Sequence, residues 1–282
     1  MPQEVIGVDI GGTNIKIGKV VQGVVVEHRK IPVNRNDLEH VTLDNLYVGL
    51  KALMTDSIEA IGIGVPAVVD TEKGIVYDVQ NIPSWAEVSL KKLVEERFNV
   101  PVHINNDANC FAIGESKYGK AKQYSNAIAL SLGTGMGMGI VIDTKLYNGV
   151  MCGAGEIGML PYLDNVLEHY TGSFFFEREF KRSAFELYQK ALENEVEALN
   201  AFEQYGKHLA EAIKIILFMF APEIIILGGS ISKAYQFFED SMLIGLQSFP
   251  YKKQIENLKI QTSDLADSPI LGAAALLSLI HI

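Results

Sequence analysis

Residues 5–16 read Val-Ile-Gly-Val-Asp-Ile-Gly-Gly-Thr-Asn-Ile-Lys. A β-rich apolar run carries Asp9 to a Gly11-Gly12-Thr13 turn, and a second apolar run, Ile15–Val21, follows at once. Such a turn exposes backbone N–H groups and a hydroxyl at a strand end, which makes a cradle for a phosphate. Asp9 beside it suits a magnesium ion or its water. The same residues also describe a hairpin that needs glycine only to turn. On this stretch alone the two readings stand level, and the rest of the chain separates them.

Outward from the turn, Gly23 marks a reversal and Val24–Lys30 reads as a third strand. Asp37–Thr55 carries Leu38, Val41, Leu46, Leu50 and Leu53 at helical spacing. Ala60–Val65 is an apolar strand that stops at Pro66, and Ser89–Phe98 is helical. Val100–Ile104 is a strand that runs onto Asn105-Asn106-Asp107, and Ala108–Tyr118 is a helix. Strands alternating with helices predict an α/β fold. The opening pattern then restarts: Asn126–Leu132, a Gly133-Thr134-Gly135 turn, and a return strand over Gly139–Asp143. A helical stretch with breaks fills Ser173–Phe220. Glu223–Leu227 is a strand ending on Gly228-Gly229-Ser230, Ile260 begins a last strand, and Pro269–Leu279 closes the chain as a helix. The repeat suggests two similar domains facing each other, with a boundary near Gly119–Ser125.

The bulk composition narrows the partners. The chain has 282 residues, 48% of them hydrophobic, and a net charge of −10 with no run of Lys and Arg. Nucleic acid is not an expected partner, since backbone phosphates call for a basic face. No apolar stretch is long enough for a bilayer span and the N-terminus does not read as a signal peptide, so neither a membrane nor export is expected. Cys110 and Cys152 form no metal spacing and read as reduced thiols of a cytoplasmic protein. The six His show no paired metal spacing either. His103, alternating with apolar residues on a strand, reads as structural.

Three Gly-rich turns, each after a β-run, are hard to explain by folding alone. The first two fit a polyphosphate chain between facing domains, and the third fits the nucleoside end, where glycine lets a flat ring approach the backbone. The chain has no GxxxxGK[ST] loop, and Gly11-Gly12 leads into a strand rather than a helix, so neither a P-loop nor a dinucleotide fingerprint is present. Asn106-Asp107 sits where a strand meets a helix. Asp107 can cap that helix. Beside a phosphate cleft it can instead accept the proton of a hydroxyl that attacks phosphorus. Asn106, donor and acceptor at once, suits a sugar hydroxyl. Glu156 lies within a Gly-rich turn, Glu168 follows it, and Asn81 sits near the single Trp, Trp85, which reads as a packing anchor.

Together these residues resemble the ROK family of sugar kinases (repressor, open reading frame, kinase) of the actin/Hsp70/hexokinase superfamily. The resemblance rests on Asp-Ile-Gly-Gly-Thr-Asn-Ile-Lys at 9–16, Gly-Val-Pro-Ala at 64–67, Asn-Asp-Ala-Asn-Cys at 106–110, Leu-Gly-Thr-Gly at 132–135, Gly-Ala-Gly-Glu-Ile-Gly at 153–158 and Ile-Leu-Gly-Gly-Ser-Ile-Ser at 226–232. It implies an α/β fold of two actin-like (ribonuclease H-like) domains flanking a nucleotide and sugar cleft. The smaller domain would be 1–118 plus 269–282 and the larger 119–268. It implies ATP- and magnesium-dependent phosphorylation of a hexose or hexosamine at the 6-hydroxyl, glucokinase-like, with Asp107 as general base. Asn81, Asn106, Asp107, Glu156 and Glu168 match sugar contacts. Asp9, Gly11, Gly12, Thr13, Lys16, Gly133, Thr134 and Gly135 match the phosphate turns, and Gly228 and Gly229 the nucleoside end.

The chain departs from the family pattern at two places. Met159 stands where family members often carry His, a residue that often touches the sugar near C1 and C2. The stretch Leu-Pro-Tyr-Leu-Asp-Asn-Val that follows it has no Cys, so no zinc is expected. Family repressors carry an N-terminal helix-turn-helix, whereas this sequence opens on the kinase strand. The resemblance suggests a homodimer. The rival reading is a sugar-sensing regulator that keeps the cleft without turnover, and a more distant one is an ATP-driven chaperone or filament subunit.

Overall fold

The computed structural model describes residues 4–279. The opening hairpin forms: β1 (Glu4–Ile10) and β2 (Asn14–Val21) pair antiparallel, with Ile10 opposite Ile15. β3 (Val24–Pro32) adds outside β2. Helix α1 (Glu39–Leu53) buries Leu43, Leu46, Leu50 and Leu53, three and four residues apart. β4 (Ile58–Val65) ends before Pro66, α2 (Leu90–Phe98) follows, and β5 (Val102–Asn106) runs into α3 (Asp107–Lys117) with no intervening loop. The strand thus extends two residues past Ile104. The second pattern follows as β6 (Ala127–Leu132), β7 (Met136–Ile142), α4 (Val196–Phe220), β8 (Ile224–Gly228), α5 (Tyr235–Leu246), β9 (Lys259–Thr262) and α6 (Ser268–Ala275).

The chain divides into two compact units. One holds the described residues of Met1–Gln123, Gly139–Ala154 and Asp264–Ile282, and the other Tyr124–Met138 and Gly155–Ser263. Residues 139–154 join the first unit through the latter part of β7, where Gly139 lies against the Ala108 carbonyl and Ala112 of α3.

In the first unit the sheet order is β3-β2-β1-β4-β5, with β1, β4 and β5 parallel. β4 is buried from Ala60 through Val65, as a parallel strand covered on both faces requires. One side carries Leu46, Leu50, Val76, Ile82, Trp85 and Val94 in a single apolar cluster. Each such side chain contributes about 1.5–3 kcal/mol on burial. The other side seats α6, whose backbone approaches the sheet so closely that no side chain fits at Gly7 or Gly62. Gly272 of α6 meets the Cys110 carbonyl of α3 in the same way. Asp9 stands opposite Gly64, and Gly64 opposite Asn105, so one row of the sheet carries all three to the C-terminal ends of parallel strands. That edge is where open α/β sheets bind ligands.

In the second unit β6 pairs parallel with β8, from Ala127↔Ile224 to Ser131↔Gly228, and β8 pairs parallel with β9. β7 flanks β6 on its other side. α4 buries Ala198, Phe202, Tyr205, Leu209, Ile213 and Ile216 along one face and ends at Ala221 (φ 42°), just before Pro222. Pro161–Tyr162 and Asn165–Val166 form a small hairpin, and Glu168 begins the short helix Glu168–Thr171.

Among the described residues, no helix is long and apolar enough to cross a membrane.

Candidate active site

In the first unit the Gly11–Thr13 turn closes with few of its own groups. The Gly11 N–H donates to the Asn14 carbonyl (2.9 Å) and the Thr13 carbonyl accepts from Val33 (2.9 Å). Among the described residues the N–H groups of Gly12 and Thr13 are not used by these bonds. Two backbone donors are therefore left for a phosphate, and the Thr13 hydroxyl, whose oxygen accepts from Asn14 Nδ2 at 2.8 Å, keeps its own hydrogen to donate. Asp9 and Lys16 face each other in register and form an ion pair at 3.0 Å. Lys16 is 52% exposed, so the pair is screened and holds the ammonium by only about 0–1 kcal/mol. Lys16 can leave it for an anion, and Asp9 can then face a cation or its water.

Asn81 lies directly on this turn: a Cβ added to Gly12 would sit 2.7 Å from the Asn81 Cγ. The segment beneath Asn81 is pinned by fully buried Trp85 and by two closed turns, Ile82 N–H to Val79 O (3.0 Å) and Trp85 N–H to Ile82 O (2.8 Å). Gly12→Ala is expected to push the Asn81 amide aside. Folding stability should fall by about 1–3 kcal/mol, because the Asn81 Cβ, fixed to the pinned segment, would also lie only 2.8 Å from the new methyl. If Asn81 contacts a sugar, as the resemblance implies, sugar affinity should fall about tenfold, a loss equal to one hydrogen bond. Calorimetric titration beside a melting curve checks both halves, and unchanged affinity would refute the placement.

The capping role open to Asp107 belongs to Asn106. Its Oδ1 accepts from the Ala108 N–H (2.9 Å) and the Asn109 N–H (3.4 Å), and its Nδ2 donates to the Ala67 carbonyl at 3.3 Å. Asn106 thus has a structural duty that a sugar contact would have to share. Asp107 is the first residue of α3, and its Oδ1 accepts from the Ala108 N–H at 2.9 Å.

The second unit brings its residues together at the end of β6. The Gly133 N–H donates to Gly135 O (3.1 Å), and the Gly133 carbonyl accepts from Ser173 (2.8 Å). Among the described residues this leaves the Thr134 and Gly135 N–H groups out of the turn's backbone bonds, as in the first turn. A Cβ on Gly133 would meet nothing within 4 Å. Gly135 abuts the Glu168 carboxylate, so the matched sugar contact and the matched phosphate turn adjoin. Gly229 (φ 83°) packs on the backbone of Leu132, which brings the third Gly turn beside the second. That contact and that angle demand glycine for folding whatever it binds.

Burial first, and the charge of Glu168 second, push the Glu156 carboxyl above the ordinary range. Glu168→Gln removes the second cause and is expected to bring the Glu156 titration down, still above the ordinary value because burial remains. Carboxyl-carbon NMR over a pH series reads it directly. An unmoved Glu156 would separate the two carboxylates.

Sequence reasoning missed what holds Glu168. The Tyr162 hydroxyl bonds His208 Nδ1 at 3.0 Å, Tyr170 bonds Asp164, and Arg178 lies 4.2 Å over the Tyr170 ring. These contacts pin the hairpin and the short helix to α4. Only the clustering of Tyr162, Tyr170 and Arg178 near Glu168 in the chain hinted at it. Met159 is exposed and takes no part in a core. His103 is held below the ordinary imidazole range by burial, in line with a structural role. No group of three or more His, Cys, Asp or Glu among the described residues is placed to hold a metal.

In fold, these mixed α/β units match solved structures of a ROK family glucokinase from Streptomyces griseus and a ROK hexokinase from Thermus thermophilus. The chain belongs to the ROK family, whose model matches residues 5–279. It is 28% identical to a glucokinase of Thermotoga maritima, over 98% of each chain. It is also 28% identical to a xylose repressor of Bacillus subtilis, over 96% of this chain and 76% of that protein. The structure superposes with a TM-score of 0.86 on a ROK family glucokinase from Streptomyces griseus in complex with glucose and AMPPNP, at 24% identity over 97% of this chain and 98% of that one.

Proposed function

We propose that this protein is an ATP-dependent sugar kinase that phosphorylates a hexose or hexosamine, glucokinase-like, at the 6-hydroxyl. The observation that carries the reading is the placement of Asp107 as the first residue of α3 at the end of β5, in a chain whose two Gly-Thr turns both keep uncommitted N–H groups. The matching glucokinases support the same class.

In this reading Asn81, Asn106, Glu156 and Glu168 hold the sugar. The Asp107 carboxylate takes the proton from the acceptor hydroxyl while that oxygen attacks the γ-phosphorus of ATP and ADP leaves. The Gly12, Thr13, Thr134 and Gly135 N–H groups and both Thr hydroxyls face the phosphates, with Lys16 adding charge after it leaves Asp9. The donor set fits a polyphosphate, and Asp9 fits a cation or its water once Lys16 is displaced. Magnesium, when bound, would neutralise charge on the phosphates. Gly228 and Gly229 border the nucleoside. The reading includes a homodimer and, in keeping with two buried free thiols, Cys110 and Cys152, a cytoplasmic location.

The second reading, a sugar-binding regulator without turnover, is favoured by the xylose repressor match over most of this chain. A coupled assay of ADP release with ATP, magnesium and a panel of hexoses and hexosamines separates the two. Release that depends on one sugar supports the kinase. Sugar binding with no release from any of them supports the regulator.

A further inference from the structure

Behind Asp107 lies a set of side chains that the proposed reaction does not use. Asn105 and Asn109 are buried amides, 4% and 1% exposed, at the join of β5 and α3. The Asn105 Oδ1 accepts from the Asn106 N–H (2.8 Å), from Asn109 Nδ2 (2.9 Å) and from the Cys152 thiol (3.3 Å). The Asn148 Oδ1 accepts from both buried amides, Asn105 Nδ2 at 3.3 Å and Asn109 Nδ2 at 3.2 Å. Asn148 and Cys152 lie on a loop of the same unit, closed by the Ala154 N–H on the Asn148 carbonyl (3.0 Å).

This arrangement carries two costs. The loop bends through left-handed backbone at Met151 (φ 54°) and Cys152 (φ 56°), neither of them glycine. The Asn109 Oδ1 is buried without a hydrogen-bond partner among the described residues. Strain and unpaired polar groups collect where placement matters more than stability. What this network holds on either side of Asp107 is the Asn106 N–H before it and the side chain of Asn109 after it.

We infer that Asn148, acting through Asn105 and Asn109, is a positioning residue for Asp107. The inference rests on the reading of Asp107 as general base. Asn148 serves as an acceptor toward two NH2 groups, so its side-chain oxygen is the part that matters. Asn148→Ala removes that oxygen, whereas Asn148→Asp keeps it in place.

A displaced base costs rate rather than binding. Asn148→Ala is expected to lower kcat about tenfold or more, with both KM values within about twofold. Asn148→Asp is expected to restore kcat to within about threefold of wild type. A purely structural role would lower the melting temperature and leave kcat per folded molecule unchanged. Amide hydrogen exchange over residues 105–110 gives a readout that needs no activity: faster in Asn148→Ala, restored in Asn148→Asp. Full kcat in Asn148→Ala, or equal loss in both variants, overturns the inference. If the wild type phosphorylates no sugar, the kinase reading falls. Exchange then decides alone, and unchanged exchange in Asn148→Ala overturns the positioning of the turn.

Discussion

Asp107→Asn is expected to lower kcat by about a thousandfold, within the roughly 10²–10⁴-fold span of a general base, while sugar affinity stays within about threefold. The substitution is nearly isosteric. An Asn oxygen can still accept from the Ala108 N–H, which the Asp107 Oδ1 does at 2.9 Å. The start of α3 is capped independently by Asn106, so the turn keeps its shape. In the proposed reaction, what disappears is the group that takes the proton as the sugar oxygen attacks phosphorus. A loss of kcat with KM unchanged would mark an interaction made only in the transition state. Turnover near the wild-type rate would remove Asp107 from the chemistry.

The largest effect on stability is expected at the seat of α6. Gly62→Ala would drive a methyl into the Ala273 carbonyl, and Gly272→Ala into the Cys110 carbonyl. Both obstacles are backbone, so relief requires a helix to move off the sheet. Each substitution should cost about 3 kcal/mol or more, at or above the upper end of overpacking. Lifting α6 also loosens α3, whose first residue is Asp107. Gly133→Ala is the control. Its new methyl meets nothing within 4 Å, and stability should shift by less than about 1 kcal/mol. Urea titration of the three variants reads the contrast. Equal stability across them would mean that α6 does not rest on those glycines.

Much of the fold was legible because its signals are local. The two Gly-Thr hairpins, the leucine spacing of α1 and the strand ending at Pro66 each carry their own pattern. The family motifs then tied Asp9, Asp107 and the three turns to one kind of chemistry. The strands Val68–Asp70, Ile75–Tyr77 and Glu87–Val88 were not legible, since two or three residues are too short for alternation to show. α5 was missed because Tyr235–Leu246 lacks a capping side chain and carries Gly245 near its end. The assignment of the cap to Asn106 rather than Asp107 turns on which residue is the last extended one, a matter of a single position. The links of Asn148 to Asn105 and Asn109, and the pin of Tyr162 on His208, span 39 to 46 residues and have no sequence period to reveal them.

In the proposed reaction Asp107 takes the proton of a sugar hydroxyl whose oxygen accepts the γ-phosphoryl group of ATP. The direct test is phosphorus NMR of the product mixture after incubation with ATP, magnesium and each sugar of the panel, wild type beside Asp107→Asn. A sugar 6-phosphate resonance is expected to grow in step with ADP in the wild type and to be absent from the variant over the same time. ADP accompanied only by inorganic phosphate, or a sugar phosphate formed equally by both proteins, would contradict it.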